Sequence, residues 1–372
     1  MVTYNSEGEA PMPVRPDILL LIGTTKGLFT LDPSGELQNP IANGASVPSV
    51  AFDPRKRRIL AGKTSFFWGT GVVYSDDLGK TWVEPEAPNL QFPAEFDASI
   101  KQAWQIAPAS ANEPDVVYVG VEPAALFRSN DGGQTFEVVR GLWDHPHRPT
   151  WQPGGGGLCL HTILLDERDP RKLTVAISTG GVYRSDDGGA SWRSSNSGIR
   201  ADFMPEDQRY PEYGQCVHKV ARDAANPDTL FLQNHGGLYR SDNNGASWTD
   251  IGDGVPSDFG FPVVAHPHKA GTAYVIPNGD AMNRWTPEAR CRVYRTSNGG
   301  GSWEALTSGL PQKDAYITVL RDAFTSDQQN PAGLYFGTRS GELYASSDDG
   351  DSWELVAEHL PPVLMVRAAN LG

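Results

Sequence analysis

Cysteine is scarce in this chain. Cys159, Cys216 and Cys291 are the only three in 372 residues, far apart and without a Cys-x-x-Cys pair. An odd, dispersed set excludes a disulfide framework and is expected to give buried free thiols in a reducing compartment. Long apolar runs are missing too: ILLLIG (18–23) is far too short to cross a bilayer. The opening MVTYNSEGEAPMPVRPD shows no basic segment leading into an apolar one, and no Asn-x-Ser/Thr acceptor occurs. Positive charge is in deficit, with 31 Lys and Arg against 45 Asp and Glu and a net charge of −14. Such a balance argues against a nucleic-acid or anionic-membrane partner, either of which would want a basic patch. A cytoplasmic location is the expectation.

What the chain has in abundance is turn chemistry: 40 glycines and 29 prolines, with no segment of sustained helical period. One phrase accounts for much of it. SDDLGKTW (75–82) returns as SNDGGQTF (129–136), SDDGGASW (185–192), SDNNGASW (241–248), TSNGGGSW (296–303) and SSDDGDSW (346–353). The steps between first residues are 54, 56, 56, 55 and 50, a fixed period that marks a propeller or solenoid. GLFTLDPSGEL (27–37) is a degenerate seventh copy that has lost the final aromatic. Each period holds four short β-type runs, and an Asn-Pro or Asp-Pro turn separates the first two in most copies. Four strands in about fifty residues is one propeller blade.

The ends predict the blade count. The N-terminal unit starts at a second-strand run, and VLMVRAA (363–369) looks like the missing first strand. The expectation is therefore an all-β, seven-bladed propeller of four-stranded antiparallel blades. Its C-terminal strand would join the N-terminal blade, leaving no free sheet edge. Residues 1–372 form one domain, with 1–16 as an N-terminal extension.

The repeated phrases resemble the Asp-box (BNR) consensus Ser-x-Asp-x-Gly-x-Thr-Trp, found in sialidases and in many propellers labelled glycosyl hydrolase. That resemblance implies the fold over essentially the whole chain and says little of function, since the boxes occur in enzymes and non-enzymes alike. A sialidase would bring three arginines for a carboxylate, a Tyr-Glu pair, an acid Asp and an N-terminal Arg-Ile-Pro motif. Here the N-terminal stretch reads VRPDILLL, so a true sialidase is rejected. The box itself is expected to be a turn: its third residue bonds backbone two residues on, its glycine takes a positive φ, and its aromatic is buried. Asn stands for Asp at 243 and 298, which a turn tolerates and a catalytic carboxylate would not.

Function is then sought on the face opposite the boxes, where three linkers are long: 83–101, 140–158 and 194–215, leaving blades two to four. Counting nine residues back from Pro114, Pro170 and Pro227 gives Gln105, His161 and His218, polar where other blades carry Phe261, Ile317 and Val363. A second column, at the end of the second strands, holds Lys63, Glu122, Ser178, Asn234 and Arg339, with His235 one step on. His161 and His218 become the candidate base or ligand-polarising pair and Glu122 the candidate acid. Gln105, Lys63, Asn234, His235, Arg339, Tyr210 and Trp151 are candidate substrate contacts. Glu206, Asp207, Glu212 and Tyr213 join Tyr210 in a lid-like loop, and Trp104 is either a sugar-stacking or a core residue. Taken as ordinary inter-blade histidines, His161 and His218 would have no catalytic part. A divalent metal (zinc, manganese or calcium) is expected, if at all, on His161 and His218, with His235 or Glu122. The functional expectation is a hydrolase or lyase acting on a small polar ligand, a sugar or sugar acid. A non-catalytic binding or assembly propeller with a protein partner is the alternative.

Overall fold

The computed structural model describes residues 14–42, 44–67, 69–85 and 88–372. Most of the extension expected at 1–16 therefore lies outside the described residues. The chain forms seven antiparallel sheets in succession. Blade one pairs the C-terminal strand Val363–Asn370 with Ile18–Thr24, followed by Gly27–Leu31 and Leu37–Ile41. That pairing is the predicted closure of the ring. Blades three to seven repeat a four-strand order with no crossover. In blade two the strands Ser46–Asp53, Arg58–Ser65 and Gly69–Ser75 are joined by a fourth reduced to one bridge, Tyr74 to Val83.

Apolar side chains of the inner strands fill the spaces between neighbouring sheets. Leu20, Ile22, Phe336, Val363 and Val366 are buried together where blades seven and one meet. The repeated turns clamp the outer ends. Ser185 Oγ receives the Gly189 N–H at 2.8 Å and donates to Asp187 Oδ1 at 2.8 Å. Asp187 then accepts the backbone N–H of Ser191 at 2.9 Å and its hydroxyl at 2.5 Å. The bond expected two residues on is thus made by the serine, and the acid reaches four residues on. Asn243 makes the same reach, accepting from Ser247 N and donating from Nδ2 to Ser247 Oγ, both at 2.9 Å. The fifth-position glycines sit at φ between 85° and 94°, where a side chain would be strained.

Each blade's first strand lies next to the central channel, and most carry a bulge near its mouth. Trp104, His161, His218 and Leu364 have no partner across their ladders. A bulge re-aims a side chain without breaking the sheet. It also moves the register: the residue of blade three equivalent to His161 and His218 is Trp104, and Gln105 lies one place beyond it.

Candidate functional site

The bulges and the loops of one face surround a funnel of about 980 Å³. Every blade contributes to its wall, from Pro48 and Trp104 to Phe261, Arg321 and Leu364. Two of the long linkers close over it, one through 152–156 and the other through Phe203, Met204, Pro211 and Tyr213. Gly154, Gly155 and Gly156 of the Gly-rich stretch thus serve as wall, and no residue of the six repeated turns reaches the cavity.

Several residues singled out in the sequence lie elsewhere. His161 is fully buried and tied at both nitrogens: Nε2 bonds Val217 O at 2.9 Å and Nδ1 meets Thr162 Oγ at 3.0 Å. With Nε2–H donating to a carbonyl, Nδ1 must accept from the threonine, leaving no lone pair for a proton or metal. Burial, with Arg321 and Lys219 adding to it, holds this imidazole well below the usual histidine range. His161 is an inter-blade tie. Gln105 is another, its Oε1 accepting Ile163 N at 2.6 Å from the next blade. Ser49 does the same work between blades two and three, donating to Ala103 O at 2.9 Å. The polar column is in large part a belt of such ties.

Glu122 is off the wall as well. Its carboxylate accepts from Trp104 Nε1 at 3.3 Å and from Lys101 Nζ at 3.5 Å. Lys63 pairs with Glu84 at 2.5 Å, and Asn234 is buried, donating to Arg200 O at 2.8 Å. Trp151 packs in the core with its Nε1 on Tyr183 OH at 3.0 Å. Tyr210 is 66% exposed and does not line the funnel. Glu206, Asp207 and Glu212 do not line the funnel either, so the lid-like loop offers Tyr213 alone of its named residues.

His218, His235 and Arg339 do line it. The His218 ring donates from Nδ1 to Gly260 O at 2.6 Å, which leaves the Nε2 lone pair facing Cys216 Sγ at 3.8 Å. Burial, then the nearby Arg321 charge, lowers this imidazole to about 3, so it is neutral at physiological pH. Burial and Arg284 lower His235 in the same sense. Cys216, expected to be buried, is only half-buried and faces the cavity.

Two further features escaped the sequence reading. Arg321 stands over the Trp104 ring at 5.0 Å and is 5.9 Å from the Phe261 ring, which Arg284 also approaches at 5.9 Å. Arg284, Arg321 and Arg339 all line the funnel, and none takes part in an ion pair among the described residues. The one carboxylate of the described wall, Asp322, is held by Lys219 Nζ at 2.6 Å from the first strand of blade five. Asp322 belongs to blade seven, so no local spacing announces the pair. A strongly acidic protein therefore carries a cationic funnel with aromatic walls.

No known family profile matches the chain. It is 26% identical to the xyloglucanase Xgh74A of Acetivibrio thermocellus over 293 residues, 67% of this chain and 32% of that protein. The chain thus spans about a third of that curated relative's length. It is 22% identical over 240 residues to the photosystem II assembly lipoprotein Ycf48 of a Synechococcus species, 64% of this chain and 57% of that one. Among solved structures, an ancestral GH74 enzyme superposes with a TM-score of 0.57 at 17% identity, over 84% of this chain and 38% of its own. The ring is similar to that of glycoside hydrolases and of an assembly factor.

Proposed function

We propose that the funnel binds a small anionic carbohydrate, a sugar acid, and cleaves it by hydrolysis or elimination. The observation that carries this reading is the charge of the wall. Arg284, Arg321 and Arg339 face a cavity whose one described carboxylate is already engaged by Lys219. Guanidinium groups hold a carboxylate in a bidentate fork, and a partly dry cavity strengthens that grip. Trp104 and Phe261 supply ring faces for the sugar beside those arginines. Paired-carboxyl glycoside hydrolysis needs two acids about 5–10 Å apart. The wall instead offers two neutral imidazoles, His218 and His235, whose lone pairs can take a proton or a metal ion. The likeness to xyloglucanases supports carbohydrate as the ligand class, and the arginines favour an acidic one over neutral xyloglucan.

The test is turnover on matched oligosaccharides, one series of uronates and one of neutral xyloglucan fragments, followed by mass spectrometry. Cleavage of the uronates alone is expected, with Arg321→Met slowing it at least about tenfold while melting as the parent does. Cleavage of the neutral series alone would overturn the reading. A second reading, a protein-binding propeller, draws on the similarity to Ycf48 and on apolar side chains exposed in the loops: Phe66 (97% exposed), Phe67 (82%) and Met282 (90%). It predicts a stable protein complex and no turnover.

A further inference from the structure

We propose that Cys216, His218 and His235 hold a zinc ion whose fourth position opens into the funnel. Cys216 immediately precedes the first strand of blade five (Val217–Arg222), His218 is the bulged residue of that strand, and His235 follows the second strand (Leu230–Asn234). The ladder ends with Val217 opposite Asn234, and His235 N bonds Cys216 O at 2.9 Å. The three side chains are therefore placed by hydrogen-bonded backbone at the end of the blade's first strand pair. Their ligand atoms all lie within 4.8 Å of one another. Cys216 Sγ and His218 Nε2 are 3.8 Å apart, close to the separation of about 3.5 Å that tetrahedral zinc imposes on one sulfur and one nitrogen donor.

The arrangement beyond the donors is also that of a metal site. A ligating histidine commonly gives its other N–H to a backbone carbonyl, fixing tautomer and ring orientation. His218 Nδ1 does so to Gly260 O at 2.6 Å. The ring that results can only accept at Nε2, on the cavity side. Phe259 and Phe261, themselves part of the funnel wall, pack around the two imidazoles at 5.0–5.3 Å and give the donors an apolar surround. The thiolate decides the ion: it suits zinc and disfavours manganese and calcium, which take oxygen donors. Arg284 and Arg321 oppose a dication here, and the Cys216 thiolate, formed as its proton leaves for solvent, offsets one of their charges. Three protein ligands with a position left for water or substrate is the pattern of catalytic zinc. The site differs from the His161 and His218 pair expected from the sequence, because His161 has both nitrogens engaged.

The zinc site does not depend on the sugar-acid reading, although a ligand held by the arginines would lie within reach of it. The full chain, stripped with a chelator, is titrated with zinc against a chromophoric competitor, and separately with cobalt(II). One zinc per chain is expected, with sub-micromolar affinity and a thiolate-to-cobalt charge-transfer band. Cys216→Ser should abolish the band, and His235→Ala should weaken zinc at least about tenfold. Cys159→Ser, a buried thiol outside the set, should retain both. Circular dichroism melts establish that each variant is folded. Absence of zinc binding tighter than micromolar, or stoichiometric zinc in a folded Cys216→Ser, His235→Ala double variant, would overturn the proposal. Uronate binding measured on the same preparations reports separately on the arginine pocket.

Discussion

At the scale of the residue, His161 governs stability. Its Nε2 joins the first strand of the next blade through Val217 O, its Nδ1 is held by Thr162 of its own strand, and it has no exposed surface. His161→Ala should cost about 2–4 kcal/mol in urea unfolding, from lost packing and an orphaned Val217 carbonyl. Sugar-acid affinity should be unchanged in the fraction that folds. The same residue gives an acid dependence. Burial holds the folded-state pKa well below the unfolded value of about 6.5. Below that pH the unfolded chain takes up a proton that the native state refuses, so stability falls as pH drops. Between pH 7 and 5 the urea midpoint of the parent should fall more steeply than that of His161→Gln. Equal slopes would contradict it. Sequence counting found His218 and His161 together because both occupy a bulge, and it missed Trp104 because blade three has one extra residue between its bulge and Pro114. Single-residue register is set by where a ladder slips, and the local pattern does not carry that.

At the scale of the element, the repeated turn was legible because its chemistry is local. Serine, acid, glycine and aromatic act within eight residues, so each copy announces itself. The inferred tolerance of Asn has a physical basis: Asn243 uses Oδ1 and Nδ2 where Asp187 uses its two oxygens. In the last blade Asp348 accepts Ser352 N at 2.9 Å, Ser352 Oγ at 2.6 Å and Ser346 Oγ at 2.7 Å. Asp348→Ala should therefore lower stability by about 1–2 kcal/mol and Asp348→Asn by well under half of that, in thermal or urea melts. A larger loss for the Asn variant would indicate that charge, not hydrogen bonding, holds the turn. The funnel's elements were less legible. Arg321 and Asp322 sit just before the first strand of blade seven, and counting nine back from Pro331 reaches Asp322, whereas the sequence reading places Ile317 at the equivalent position.

At the scale of the whole molecule, the ring depends on its last strand. Val363, Met365, Val366 and Ala369 are at most 1% exposed, and the strand supplies the innermost edge of blade one. Burying such side chains is worth about 1.5–3 kcal/mol each for the larger ones, comparable in sum to the 5–15 kcal/mol by which domains are stable. A chain ending at Pro361 should lose its cooperative melt, and the peptide 362–372 added in trans should restore part of it. An unchanged melt would show that blade one closes without the strand. Closure and blade number could be read from the sequence because they follow from period and ends. The charge of the funnel could not, since it brings Arg284 of blade six together with Arg321 and Arg339 of blade seven, residues distant in sequence, against a net charge of −14. That charge is also what the functional account stands on. Its most direct measurement is calorimetric binding of two ligands that differ only at one carbon, a glucuronate oligosaccharide and its neutral glucose counterpart. The glucuronate is expected to bind, salt to weaken that binding, and Arg321→Met to reduce its affinity at least about tenfold. Equal affinity for the neutral sugar, or binding indifferent to Arg321, would contradict this.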